Sequence, residues 1–547
     1  MKLKVNGLWC RGQMFNKCDG TWIEANALKI NGHWHAIHQH PEFNDVGMLV
    51  VEVLNQDEVI LGYTLSSGSS TVSQITFYDA LGSVLDQRTA EFVNTGATQT
   101  EIKTVCSPPP HTRYLAFKPL SISGRYRHQH VTGDSVVRVI RWRDTDELEN
   151  GVSIASANLI EVPKHAPNSR DFRNMFRNCS KFNGDISMWD VSHVTDMDHM
   201  FMGCAEFNCD ISNWNVENNT DTSGMFTGCT KFNQPIGKWN MSNTTLIHEM
   251  FSECRAFNQD LSGWDVSKIS NFGYLFSGCW EFNGDVSTWD TSNATTMNYM
   301  FQNCRKFNQD LSGWNTAKVT TIHRMFQFAY EFNGNVSTWD VSKCRVFSFA
   351  FYDCEKFNQN LSGWNVGLGT QFTSMLRGCV EFNSDLSGWN VSNATDLSQL
   401  FFGCRKFTSN LAGWNTAKVT NLSGTFYGCT LFDSDLSLWN VSNVTHMQGL
   451  FYACNNFNGN VTTWNTAKVT NMTNLFGHCY NFNQNISGWK VGQVTLMDGM
   501  FVRCWAFNQD LSKWCVAKIT TQPIDFATEA TLFTPVKYPV WGTCPVT

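Results

Sequence analysis

The sequence predicts an α/β repeat solenoid, with a parallel sheet along one side and helices along the other, preceded by small all-β domains. Three observations lead there. A 25-residue unit recurs fourteen times between residues 175 and 515. Each unit combines a stretch of period two with a stretch spaced like one face of a helix. Residues 1–133 carry none of this repeat and read as short β-runs separated by turns.

The elements follow in chain order. In residues 1–40, the words VNGLW, CDGTW and INGHW place Asn-Gly or Asp-Gly ahead of Trp9, Trp22 and Trp34. Those dipeptides favour tight hairpin turns, so a β-hairpin docking segment is expected. Residues 41–133 hold MLVVEVL, VILGYTL, SQITFYDA and TRYLAFKPL. Several such runs in a short span suggest a β-sandwich. Residues 134–174 are the expected N-terminal cap of the solenoid, 175–515 its fourteen units, and 516–547 its C-terminal cap.

Within the repeat, Phe182 to Phe507 and Trp189 to Trp514 recur every 25 residues without exception. A second Phe column from Phe176 to Phe501 is broken only by Leu376, and a Cys column from Cys179 to Cys504 only by Ala329. A fixed period of this size means a solenoid, because no unit can bury its apolar edge alone. Asp260-Leu261-Ser262 alternates as a short strand does. Met197, Met200, Phe201 and Cys204 fall at i, i+3, i+4 and i+7, one helix face, and Thr195 before them suits an N-cap. Asn183, Asn208, Asn233 and Asn258 are expected to form an amide ladder. Leucine-rich-repeat solenoids are built on this logic. Fourteen coils at strand spacing make a face of roughly 65 Å.

The words FN-D-S-W-VS-VT-M-MF closely resemble the BspA-like leucine-rich-repeat surface proteins, in the subgroup with 25-residue units first described in mycoplasmas. The resemblance covers about residues 135–547. It includes the lead-in WRDTDELENGVSIASANLIEVPKHAP and the segment from Cys515. It implies cell-surface adhesion or binding, in bacteria, protists and some viruses. The K-x-N-G-x-W segments resemble the ends of phage virion proteins.

A net charge of -7 argues against a nucleic-acid partner. No run of about eighteen apolar residues occurs, so no membrane span is expected. The basic N-terminus has no apolar stretch behind it, so no export signal is expected. Thirteen of twenty Cys lie in the repeat column and read as buried free thiols rather than bridges. Cys515 and Cys544 bracket the C-terminal cap and are the best disulfide candidate, with Cys10 and Cys18 behind them. His33, His35, His38 and His40 form two His-x-His pairs that suit a transition metal; exposed imidazoles are the plainer reading, and no other cofactor is implied. Asp185, Asp210, Asp260 and their equivalents raise glycoside hydrolysis, but a ladder has no singular pair, so turn hydrogen bonding is preferred. Lys181, Glu206 and Lys231 begin a column of alternating sign, read as exposed ion pairs that control register.

Departures from the repeat point to binding. Trp280, Tyr330, Tyr480 and Trp505 follow the Cys column among otherwise small or charged residues, and could stack on sugar rings or anchor a protein. Arg345, after Cys344, and Gly367-Leu368-Gly369 mark the irregular units. No Ser-His-Asp order, phosphate loop or zinc-protease motif is present. The sequence therefore reads as a non-enzymatic adhesion or receptor-binding protein of a virion, a phage tail fibre or head-decoration fibre. Its N-terminal region would meet other virion proteins and its solenoid a host surface glycan or protein, as a homo-oligomer at the tail or capsid surface. A bacterial cell-surface adhesin and a host-glycan depolymerase are the alternatives.

Overall fold

The coils of this chain are held to one another by backbone hydrogen bonds made without helices. The structure is a computed structural model and describes residues 2–5, 8–11, 27–30, 33–36, 49–53, 59–65, 69–80, 83–95, 98, 100–123, 126–142 and 151–545. Four strands open the chain: β1 (Lys2–Val5), β2 (Leu8–Arg11), β3 (Ala27–Ile30) and β4 (His33–Ala36). They pair antiparallel in chain order. Val5 pairs with Leu8 and Ile30 with His33, so two residues, Asn-Gly in the sequence, separate the strands of each hairpin.

Nine strands follow: β5 (Leu49–Val53), β6 (Val59–Leu65), β7 (Ser70–Tyr78), β8 (Val84–Val93), β9 (Thr100–Cys106), β10 (Tyr114–Ser123), β11 (Tyr126–Thr132), β12 (Val136–Arg141) and β13 (Gly151–Ala155). One sheet has the order β12-β5-β10-β7-β8 and the other β13-β11-β6-β9. Leu49, Val51 and Val53 from the first and Val59, Leu61 and Val131 from the second share one core. Two amides that reach into it are anchored to backbone: Gln129 Nε2 donates to the Phe117 carbonyl at 3.1 Å, and Asn94 Nδ2 to that of Leu65 at 2.8 Å. On the outer face buried Glu52 sits between Arg113 and Arg138, and Arg138 reaches on to Glu161 at 2.7 Å. The two sheets draw strands from residues as late as 155, beyond the 133 at which the sequence reading ends this region.

The sandwich runs straight into the solenoid. β13 pairs parallel with β11 on one side. On its other side the Ile154 N–H donates to the Met175 carbonyl at 2.7 Å. From there alternate residues of each coil donate to the next. Met197, His199, Phe201 and Gly203 give their N–H groups to the carbonyls of Asp221, Ser223, Met225 and Thr227.

This pattern overturns the expected α/β architecture. Among the described residues there is no α-helix, only a 3-10 turn at Pro535–Lys537, and the repeats pair through isolated parallel bridges such as Asp196 with Asp221. A helix spends each N–H on the carbonyl four residues back; here those donors are spent on the neighbouring coil. Within the coil the chain advances by overlapping turns. Met200 donates to Met197, Met202 to His199 and Cys204 to Phe201. Turns stepping by three and four residues bury Met197, Met200, Phe201 and Cys204 completely, which reproduces the spacing of a helix face. Thr195 is no N-cap; its hydroxyl donates to the Arg170 carbonyl one coil back, at 3.3 Å. Asp260-Leu261-Ser262 is no strand either. The Asp260 carboxylate accepts the Ser262 N–H at 2.8 Å, a turn closed by a side chain.

The side-chain columns fill the interior. Phe201 stacks on Phe207 at 4.0 Å and on Phe226 at 5.7 Å, and Trp189 lies nearly parallel to Trp214 at 6.4 Å. Each fully buried Phe contributes about 1.5–3 kcal/mol. Each Trp Nε1–H donates to a buried carbonyl of the preceding coil, as Trp264 does to Ile236 at 3.1 Å. The Asn column is a ladder in which each side-chain oxygen accepts the N–H of the next Asn, that of Asn233 from Asn258 at 2.9 Å. The Cys column is a thiol ladder: Cys204 Sγ donates to the Phe176 carbonyl at 2.9 Å and Cys229 to that of Phe201 at 3.1 Å. Burial pushes the Cys179 thiol up to about 12, so the column stays protonated and unreactive. At the far end Phe501 and Arg503 donate to Phe526 and Thr528, Val516 donates to Thr543, and a disulfide joins Cys515 to Cys544. Among the described residues no helix is long and apolar enough to cross a membrane.

Candidate functional site

The turns set which side chains face outward. Each coil holds two left-handed residues four apart, such as His199 (φ 54) with Gly203 (φ 77) and Glu249 (φ 59) with Glu253 (φ 59). Glycine takes this conformation freely, whereas other L-residues lose about 1–2 kcal/mol. Gly203, Gly228, Gly278, Gly378, Gly403 and Gly428 answer that demand directly before the Cys column. At the other position four successive units do the opposite. Tyr274, Tyr299, Arg324 and Phe349 sit at φ 57, 59, 54 and 60. Bulky residues held in such backbone concentrate at functional sites.

Those side chains form one band across the turns. Tyr274 stacks on Tyr299 at 4.2 Å. The Arg324 guanidinium lies 5.6 Å from the Tyr299 ring centre and 4.8 Å from that of Phe349. The band then shifts three residues along the coil, Phe349 meeting Tyr352 at 5.8 Å. Arg377 sits between Tyr352 and Phe402, at 5.2 and 4.1 Å. Phe402 stacks on Tyr427 at 4.2 Å, and Tyr427 on Tyr452 at 4.7 Å. His248 at one end and His478 at the other abut Tyr274 and Tyr452. Every member is half-buried. From Tyr274 to Tyr452 the band is about 34 Å long at strand spacing. Its rings face each other, so ring edges, phenol hydroxyls and guanidinium edges point to solvent.

The residues singled out in the sequence lie beside this band. Trp280 is held between Arg255 at 4.4 Å and Arg305 at 4.1 Å, so both its faces are covered. Tyr330 packs on Phe328 at 6.3 Å. Tyr480 stacks on Trp505 at 4.1 Å, and Trp505 is 47% exposed, which leaves its outer face open. These four are not gathered into one site. Arg345 is exposed, and its carbonyl accepts the Thr370 N–H at 3.0 Å as the column's Thr residues do. The irregular units around it are a matter of core volume. Phe347 stacks on Phe372 at 5.0 Å. A Cβ at Gly369 would lie 2.4 Å from the Phe372 ring, so the small residue makes room for the large ones.

The Asp column is used up by turns. Asp185, Asp210, Asp310, Asp385 and Asp510 each accept hydrogen bonds from the Ser two residues on, which holds their carboxyls below the usual range. The alternating column does pair Lys231 with Glu206 and Lys406 with Glu381, exposed contacts of little energetic weight. In the first units Asp171, Asp196 and Asp221 stack in the bridge column, with Arg173 bound to Asp171 at 2.6 Å and to Asp196 at 3.2 Å. Burial raises Asp196 to about 6, helped by the two flanking carboxylates. Among the described residues no cluster of His, Cys, Asp or Glu is suited to a metal. The side chains of His33 and His35, residues His38 and His40, and the Cys10 and Cys18 side chains lie outside the described residues.

The band is the feature that sequence reasoning missed. Its signal is present: Tyr and Phe at positions where neighbouring units place Gly, as at Gly224, Gly424 and Gly449. Four overlapping stretches, residues 166–264, 245–364, 331–438 and 420–535, match one family, described as Mycoplasma protein of unknown function, DUF285. No curated protein and no solved structure matches the chain.

Proposed function

The chain belongs to the DUF285 family of Mycoplasma-type repeat proteins, and on that premise we propose that it is a non-enzymatic adhesion protein whose solenoid meets a cell surface. The observation that carries this reading is the band from Tyr274 to Tyr452. It is continuous over many coils, half-exposed, and held in part on strained backbone. A rigid, repeated face makes many weak contacts at once, and several copies on one carrier multiply them. The sandwich is the docking end. Its edge strand β8 leaves Val84, Leu85 and Val93 exposed, with Val105 of β9 nearby, an apolar edge suited to a partner.

The carrier in this proposal is a virion, with the sandwich on the particle and the solenoid toward the host. A bacterial-surface adhesin is the same device on another carrier. Immunogold labelling with an antibody against residues 49–142 separates them. Label on phage particles supports the virion; label on bacterial envelopes alone replaces it with the adhesin. For adhesion itself, the full chain is applied to host envelopes beside a Tyr274→Asn, Tyr299→Asn, Phe402→Asn variant. Loss of retention in the folded variant supports the band. Retention equal to wild type removes it.

A further inference from the structure

The band's chemistry specifies its ligand further than adhesion does. Its rings stack on one another or on guanidinium groups, so their faces are occupied. A neutral sugar that needs a bare ring face finds none along it. What remains outward is ring edge, and an aromatic edge carries positive potential.

The charges agree. From Gly273 to Tyr452 the two columns that carry the band and the column of His323 beside them hold no Asp or Glu in eight successive units, while they hold Arg324, Arg377 and His323. Asp353 and Asp396 stand in the columns to either side. The Asp396 carboxylate is engaged by the Ser423-side neighbour Asn421 at 3.4 Å and by the Ser398 N–H at 2.7 Å.

Arg324 is the centre of this stretch. Its guanidinium is fixed between Tyr299 and Phe349. Among the described residues its side chain has no hydrogen-bond or ion-pair partner, and its buried Nε is unsatisfied. The adjacent His323 Nδ1 is buried and unsatisfied as well. A guanidinium that is oriented, partly desolvated and without an acceptor is a preorganised receptor for an anion. Arg377 lies between two rings in the same way two coils on, about 10 Å along the axis, with one donor given to Gln399 at 2.5 Å and the Asp353 carboxylate close enough to feel its charge. In the coil of Arg324 and the two before it, Ser277, Gln302 and Gln327 form a ladder of hydroxyl and amide groups, with Gln302 half-exposed and the other two buried.

We infer that the band binds a linear anionic polysaccharide, with Arg324 and Arg377 receiving its acidic groups and the amide and phenol groups its hydroxyls. This rests on the adhesion reading above. An extended peptide fits less well, because the coil N–H groups are spent on the ladder and none is left to pair a peptide backbone. Two guanidinium groups on a chain of net charge -7 are too few for a nucleic acid.

The test uses the full chain with polygalacturonate, neutral dextran of matched length and polyglutamate, by calorimetry at low and moderate salt. Polygalacturonate is expected to bind, to weaken about tenfold or more in Arg324→Gln and in Arg377→Gln, and to weaken as salt rises. Arg324→Lys, which keeps the charge without the flat fork, is expected in between. Dextran binding as tight as polygalacturonate overturns the inference, as does equal binding by polyglutamate or unchanged affinity in both Gln variants. If the Asn triple variant loses envelope retention while both Gln variants keep it, the adhesion reading stands and the anionic ligand falls. If the triple variant keeps retention, the adhesion reading itself fails.

Discussion

Replacing Tyr299 by Gly and, separately, by Ala distinguishes a left-handed turn from a helix by the sign of one difference. Both substitutions remove the same ring. Both lose the Tyr274 stack at 4.2 Å and the Arg324 contact at 5.6 Å, together about 1–2 kcal/mol. They differ in the backbone. At φ 59 Ala keeps a penalty of about 1–2 kcal/mol. Gly escapes it but loses about 0.5–1 kcal/mol through its freer unfolded chain. The variant with Gly is therefore expected to be more stable by about 0.5–1 kcal/mol. In a helix Ala would be better by about 1 kcal/mol, so the two architectures differ by nearly 2 kcal/mol at this site. Urea unfolding of both variants, followed by Trp fluorescence, reads the difference. Ala more stable than Gly would refute the turn ladder and restore the helix.

Four further outcomes are expected. Ala329→Cys completes the thiol ladder by giving the Phe301 carbonyl the S–H that Cys304 gives Phe276 at 3.0 Å, and should add about 1 kcal/mol in thermal unfolding. Phe301→Ala, which opens the stack with Phe307 at 4.0 Å, should cost about 3–5 kcal/mol. Asp196, raised to about 6 from 3.8, holds its proton more tightly folded than unfolded. Its contribution is fully present below about pH 4 and is lost as pH rises through 6, so Asp196→Asn should flatten that part of the stability profile. Cys515→Ser with Cys544→Ser removes a disulfide spanning 29 residues. It should cost about 3 kcal/mol, seen first as proteolysis of the last coils.

Much of the solenoid was legible because it is written in columns. Phe182, Trp189 and Asn183 recur at a fixed interval, and stacking is what a fixed interval does. The local conformation was not, because Met197, Met200, Phe201 and Cys204 fit a helix face and a run of turns equally well. The Gly before Cys204, Cys229 and Cys279 argues against a helix interior, since glycine there costs about 1 kcal/mol. The binding face stayed hidden for a geometric reason. Its residues lie in two columns offset by three positions, and the band passes from one to the other at Phe349 and Tyr352. Read column by column, each half looks like scattered substitution. Trp280 drew attention instead by its size, and its two Arg neighbours close both faces.

The most direct measurement is hydroxyl-radical footprinting of the full chain with and without purified host envelope polysaccharide. Protection of Tyr274, Tyr299, Phe402 and Tyr427, with Trp505 and Leu85 unchanged, is the result this account requires. Protection confined to the sandwich, or to Trp505, would contradict it and move the recognition surface off the band.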